Sequence, residues 1–81
     1  MLTLMGYTVP PAIPKGIPGL QQVKHKNGRK RWVCKEGFIY EWDGQHAELE
    51  KYDRGGNHLG SFCPETGAKL KERVAGRKIE V

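Results

Sequence analysis

Turn signals recur along this chain at intervals too short for helices to grow between them. Asn27-Gly28, Glu36-Gly37, Asp43-Gly44, the run Arg54-Gly55-Gly56-Asn57 and Pro64-Glu65-Thr66-Gly67 all combine residues that favour tight reversals. The stretches between them, Lys30 to Lys35, Phe38 to Trp42, Gln45 to Tyr52 and His58 to Phe62, have strand length and strand composition. Their simplest arrangement is an antiparallel meander. Ahead of them runs TVPPAIPKGIPGL, residues 8–20, whose prolines at 10, 11, 14 and 18 fix the backbone and remove donors, so neither a helix nor a central strand can pass through it. The expected fold class is mainly β, α+β at most. It is a small, highly twisted antiparallel sheet with a Pro-rich N-terminal arm, and any helix is short and confined to the N-terminal part.

With 81 residues the chain is one domain with a modest core. The expected division is a Pro-rich linker or N-terminal arm over residues 1–23 and a working domain over 24–81. The arm reads as a tether to a larger precursor; the other possibility is a coat packed on the core. No apolar run is long enough to span a bilayer, and Met1 to Met5 lacks the charged flank and cleavage site of a signal peptide. No stable membrane association is therefore expected of this piece. Something outside these residues would have to carry it into a target cell. Cys34 and Cys63 sit in neither a CxxC nor a Cys/His spacing, so neither a zinc site nor any other metal site is expected; they read as packing residues or as a pair.

Lys and Arg total 14 against 9 acidic residues, a net charge of +5, which draws polyanions in by long-range attraction. The charge is clustered. Residues 24–31 read KHKNGRKR and open directly into Trp32, which makes Lys24, Lys26, Arg29, Lys30 and Arg31 candidates for gripping phosphates. A second basic group, Lys69, Lys71 and Arg73, lies in the tail with Arg77 and Lys78.

Against that background, YEWDGQHAELEKY from Tyr40 to Tyr52 concentrates Glu41, Asp43, His46, Glu48 and Glu50. Carboxylates repel an RNA ligand unless one of them moves a proton. On a strand His46, Glu48 and Glu50 would share one face, with Asp43 brought alongside by the turn. Cleavage by a ribose 2′-hydroxyl needs a base, an acid for the 5′-oxygen and a cation for the charge between them. Glu50, His46 and a tail arginine can fill those places, with Asp43 holding the imidazole in one tautomer. The same residues also read as surface carboxylates balancing lysines. Tyr40, Trp42 and Tyr52 share the parity of His46 and Glu50, and are either inner-face packing or stacking surfaces for bases.

Lys30-Arg31-Trp32, Ile39-Tyr40-Glu41-Trp42-Asp43, Gln45-His46, Glu48-Leu49-Glu50, Tyr52, His58-Leu59-Gly60-Ser61-Phe62, Pro64, Thr66-Gly67 and Leu70-Lys71 together resemble the ribonuclease domain of the rRNA-cleaving E-group colicins and cloacins. The resemblance runs from about Lys30 to Lys71. It implies a twisted antiparallel sheet that cuts 16S ribosomal RNA at the decoding centre without a metal or other cofactor. It also places Asp43, His46 and Glu50 on the family's catalytic positions, and Arg77, found by counting, on its C-terminal arginine, with Arg73 as rival. Glu48, Tyr52 and His58 form a second tier. Two turns are one residue shorter than the family pattern, Ala47 stands for a glycine and Cys63 for an aspartate.

The partners implied are the ribosome and an acidic cognate immunity protein, attracted by the basic surface. Delivery would be as part of a larger toxin, secreted or presented at the cell surface, for action in the target-cell cytoplasm. The domain would be the tip of a bacteriocin or the C-terminal toxin domain of a contact-dependent growth inhibition protein; the N-terminal arm, unlike the colicin linker, favours the second. Two other functions remain open at this point: a ribonuclease toxin acting on tRNA, and a non-enzymatic RNA-binding module.

Overall fold

The computed structural model describes residues 3–4 and 6–81. Met1, Leu2 and Met5, part of the expected 1–23 arm, lie outside the described residues. A two-residue ladder, β1 (Thr3–Leu4) with β2 (Tyr7–Thr8), is followed by β3 (Gln21–Lys26), β4 (Arg29–Val33), β5 (Ile39–Asp43), β6 (Glu48–Tyr52), β7 (His58–Phe62) and β8 (Lys69–Glu72). The last six form one sheet in which every strand pairs antiparallel with the next, the expected meander extended by a strand at each edge. Among the described residues there is no helix, and so none long and apolar enough to cross a membrane.

Both edge strands were hidden by their composition. QQVKHK and KLKE read as a charged loop and a charged tail, yet each lies beside a strand with unpaired N–H and C=O groups. Asn27 and Gly28, with φ of 57° and 71°, supply the two left-handed residues of the tightest hairpin turn. Lysines at such edges keep further chains from pairing there.

A second departure matters more for function. Gln45, His46 and Ala47, expected within a strand, instead form a turn with Gly44, and the ladder resumes with Asp43 opposite Glu48. Ala47 takes φ 54°, a left-handed conformation that suits glycine better. Because an odd-numbered residue here faces an even-numbered one, the alternation changes parity across the turn. Tyr40 therefore pairs with Lys51, and Glu50 with Glu41. Tyr40 and Trp42 lie on the face opposite Glu50, contrary to the shared face expected from numbering, and only Tyr52 stays with Glu50.

The two faces have different chemistry. On one, Trp32, Tyr40, Trp42 and Leu49 cluster with Leu20, and Ile17, Cys34, Phe38, Ala47 and Phe62 pack against them. Lys51 closes its end, with Nζ 4.3 Å from the Phe38 ring centre and within 5.6 Å of those of Phe62 and Tyr40. The other face carries the row Arg31, Glu41, Glu50, Ser61, Lys71, one residue from each of five successive strands. Both cysteines are free and half-buried.

A single sheet of this size leaves one apolar face needing cover, and the Pro-rich arm supplies it. Pro14 is fully buried. Trp42 Nε1 donates to Thr8 O at 2.7 Å, Trp32 Nε1 to Ala12 O at 3.3 Å, Lys30 Nζ to Pro11 O at 2.9 Å, and Gly16 N to Pro64 O at 2.8 Å. Any side chain at Gly16 would collide with the backbone of residues 65–67. With no donors of their own, the prolines lie on the sheet without stranding buried N–H groups.

This dependence is testable. Trp42→Phe keeps most of the apolar contact and removes the bond to Thr8, a buried acceptor left unpaired. It is expected to cost about 1–3 kcal/mol in urea unfolding and to speed amide exchange in residues 7–16 before the strands. Unchanged exchange there would show that the arm is held by other means.

Candidate active site

The polar face is buried although it is charged. Arg31, Glu41, Glu50, His58 and Ser61 are each 5% exposed or less. Charges are removed from water only when matched, and each of the four carboxylates here has its own cationic or imidazole partner. Arg31 Nε donates to Glu41 Oε2 at 3.0 Å, and Nη2 reaches the same oxygen. His46 Nδ1 lies 2.9 Å from Asp43 Oδ2, and His58 Nε2 2.7 Å from Glu50 Oε1. Lys71 Nζ stands 3.2 Å from Glu48 Oε1, a charge contact without hydrogen-bond alignment. Arg77 Nη1 is 3.7 Å from Glu50 Oε1.

Local sequence explains these placements. Asp43 ends β5, and its Oδ1 accepts from the N–H groups of Gln45 and His46 at 3.1 and 3.3 Å. This short-range capping of the turn is what aspartate does well. Burial pushes the Asp43 carboxyl up, but the hydrogen bonds from His46 and the attraction of His46 and Arg29 outweigh it, leaving its pKa below the ordinary value. His46 is held by its Nδ1 while half of its side chain stays exposed, and its Nε2 makes no hydrogen bond among the described residues. Arg77 is delivered by the tail: His58 N donates to Arg77 O at 3.0 Å and Ile79 N to Gly56 O at 2.9 Å, Asn57 bridges Lys78, and Lys26 Nζ reaches Val81 O at 2.8 Å.

The site thus gathers Asp43, His46, Glu48, Glu50, Tyr52, His58, Lys71 and Arg77. Tyr52 stacks edge-on with His58, ring centres 5.3 Å apart. Burial chiefly, with Glu41 and Glu50, raises its pKa against the opposing pull of Arg77. Single oxygens of Asp43, Glu48 and Glu50 come within 4.8 Å of one another, a spacing that a cation could span. The groups that face them in this structure are the imidazoles of His46 and His58 and the cations of Lys71 and Arg77. Arg73, the rival to Arg77, is exposed and makes no ion pair or hydrogen bond among the described residues.

The remaining basic residues do not enter the cluster. Lys24, Lys26, Arg29 and Lys30 ring the β3–β4 hairpin, and Lys69 pairs with Glu72 at 2.8 Å. Arg31 differs from its neighbours in being buried beneath the site, so its guanidinium faces Glu41 and not solvent. The sequence places Glu41 in the acidic cluster but assigns it no part in the site. The signal was present, since pairing β4 with β5 across Glu36-Gly37 sets Arg31 opposite Glu41.

The buried pair should behave as a unit. Arg31→Ala, which strands the Glu41 charge, is expected to cost about 3–5 kcal/mol in denaturant unfolding, whereas the double change Arg31→Met with Glu41→Leu should cost far less. Losses that simply add would contradict the coupling.

A family model described as Cytotoxic matches residues 9–80. Colicin E3 of Escherichia coli is 52% identical over 68 residues, covering 78% of this chain and 12% of its own length. Colicin-E6 and cloacin, also of Escherichia coli, are 47% and 44% identical over 75 residues, each covering 82% of this chain and respectively 14% and 13% of their own lengths. The chain therefore corresponds to a small part of these relatives. The matched region begins at Val9, so it includes the Pro-rich arm.

Proposed function

The chain belongs to the Cytotoxic family, and from that premise we propose that it is the endoribonuclease unit of a bacterial toxin, cutting 16S ribosomal RNA at the decoding centre and stopping translation. The observation that carries this reading is Glu50: a carboxylate 4% exposed, bonded through Oε1 to His58, with Arg77 beside it and the Asp43–His46 pair at the rim of the same face. Among the described residues no hydrogen bond engages Glu50 Oε2. That oxygen is the base which takes the proton of the ribose 2′-hydroxyl.

The freed 2′-oxygen attacks the adjacent phosphorus, and the bond to the 5′-oxygen breaks. His46, its Nδ1 held by Asp43, protonates the departing 5′-oxygen from Nε2. Arg77 lies where negative charge accumulates on the phosphate oxygens, the position from which a cation accelerates the step most. Asp43 fixes the ring and stabilises its charged form. Each of the four carboxylates of this face has a side-chain partner, and the step as proposed moves its protons to and from side chains alone.

Substrate is held by Lys24, Lys26, Arg29 and Lys30 on the hairpin, with Lys69, Lys71 and Arg73 extending the basic surface. The partners proposed are the ribosome and an acidic immunity protein that shields the producing cell. Delivery is as part of a larger secreted or surface-displayed toxin, with action in the cytoplasm of the target cell. The arm serves both as the connection to that larger protein and as the cover of the apolar face.

With intact bacterial ribosomes and a chelator present, the purified chain is expected to make one cut in 16S RNA, mapped by primer extension. Glu50→Gln and His46→Ala should each lower the rate by about 10²-fold or more while RNA affinity is retained. Intact 16S RNA with cleaved tRNA would move the substrate to tRNA. Intact RNA throughout, with unaltered binding by Glu50→Gln, would replace the enzyme with a binding module.

A further inference from the structure

His58 lies deeper than any other histidine of the chain, with a side chain 2% exposed, and both its ring nitrogens and its backbone N–H are engaged. Its ring Nδ1 accepts from the Val74 N–H at 2.9 Å. A nitrogen that accepts from a backbone N–H carries no proton itself, so the ring is in the Nε2–H form. Nε2 therefore donates to Glu50 Oε1 at 2.7 Å. On the backbone, His58 N donates to Arg77 O at 3.0 Å, and Arg77 N closes the intervening turn on Val74 O at 3.2 Å. One residue thus touches both the carboxylate and the turn that presents the arginine, 16 and 19 positions further along.

We infer that His58 is a positioning residue for both reacting groups: its Nε2–H orients Glu50 so that Oε2 faces the substrate, and its Nδ1 pins the Val74–Arg77 turn that sets Arg77 beside the same carboxylate. The inference rests on the ribonuclease reading for its consequences in catalysis, but its tautomer is a property of the free protein. The packing of Tyr52 against the ring at 5.3 Å holds the imidazole plane in the line joining Val74 to Glu50. The residues from Glu72 to Lys78 are all exposed; backbone bonds to residues 56–58 hold the far side of the Arg77 turn, and His58 Nδ1 adds a side-chain contact at its near side, Val74. A histidine is suited to this because one rigid ring offers an acceptor and a donor on neighbouring sides.

Two measurements separate this inference from the reading beneath it. Nitrogen-15 spectra of the free chain are expected to give His58 an unprotonated Nδ1 and a protonated Nε2, whatever RNA the chain cuts; the opposite tautomer, or a ring protonated at both nitrogens near neutral pH, would overturn the inference. On ribosomes, His58→Gln puts an amide N–H near the position of Nε2 and His58→Asn an amide oxygen near that of Nδ1. His58→Ala should lower kcat about 10²-fold with KM within threefold, and His58→Gln and His58→Asn should each recover about tenfold of that loss. Equal kcat for the three folded variants, or undiminished kcat in His58→Ala, would overturn the positioning role. If the wild-type chain cuts no RNA while the expected tautomer is found, the ribonuclease reading fails and the His58 geometry stands.

Discussion

Carboxylates can be taken out of water only in company, and this fold is organised around that constraint. Glu41 and Glu50 face each other across β5 and β6, and Asp43 and Glu48 do the same one step along. Like charges directly opposite on a sheet repel. The repulsion is relieved by bringing cations and a hydrogen-bond donor from elements on either side: the cations Arg31 from β4, Lys71 from β8 and Arg77 from the tail, and the imidazole N–H of His58 from β7. Asp43 is paired locally by His46, while Glu41, Glu48 and Glu50 draw their partners from β4, β7, β8 and the tail, so the meander and the charge arrangement support one another. The arrangement also leaves the acids poised, since each is close to a proton source or to a cation.

What makes such a face possible is that the hydrophobic work is done on the other one. Seven aromatic residues other than histidine give the chain little to spare, and Trp32, Tyr40 and Trp42 all go to the side covered by the arm. Each indole N–H finds a carbonyl in that arm, so the large rings are buried without an unpaired donor. Tyr40 is buried enough for its hydroxyl pKa to be pushed up to about 12, with Cys34 and Glu36 adding to the effect. It acts as packing in this position, whereas Tyr52, on the site face, lies against His58.

Much of this was legible before the structure. Glycine-bearing turns and strand-length segments gave the meander, and the acidic stretch between Tyr40 and Tyr52 marked the cluster. The faces were not legible from parity alone, because the Gly44–Ala47 turn changes which residues share a side and takes His46 off the strand. Edge strands escaped notice because their lysines carry no alternation of apolar and polar residues. His58 gave no local sign of its importance: its two partners, Glu50 and Val74, are set by strand pairing and by the path of the tail. Arg77 could be counted but not placed, since the tail is held by backbone bonds to residues 56–58 that no side-chain pattern announces.

Proton transfer between a ribose hydroxyl, Glu50 and His46, as proposed, leaves a mark on the product. Attack by the 2′-oxygen ends one fragment in a 2′,3′-cyclic phosphate and the other in a 5′-hydroxyl, because the leaving oxygen receives its proton from His46. Mass spectrometry of the RNA ends produced by the wild-type chain tests this directly. Cyclic phosphate with 5′-hydroxyl is the predicted outcome; a 3′-hydroxyl with a 5′-phosphate would mean that water attacked instead, and would contradict the roles given to Glu50 and His46.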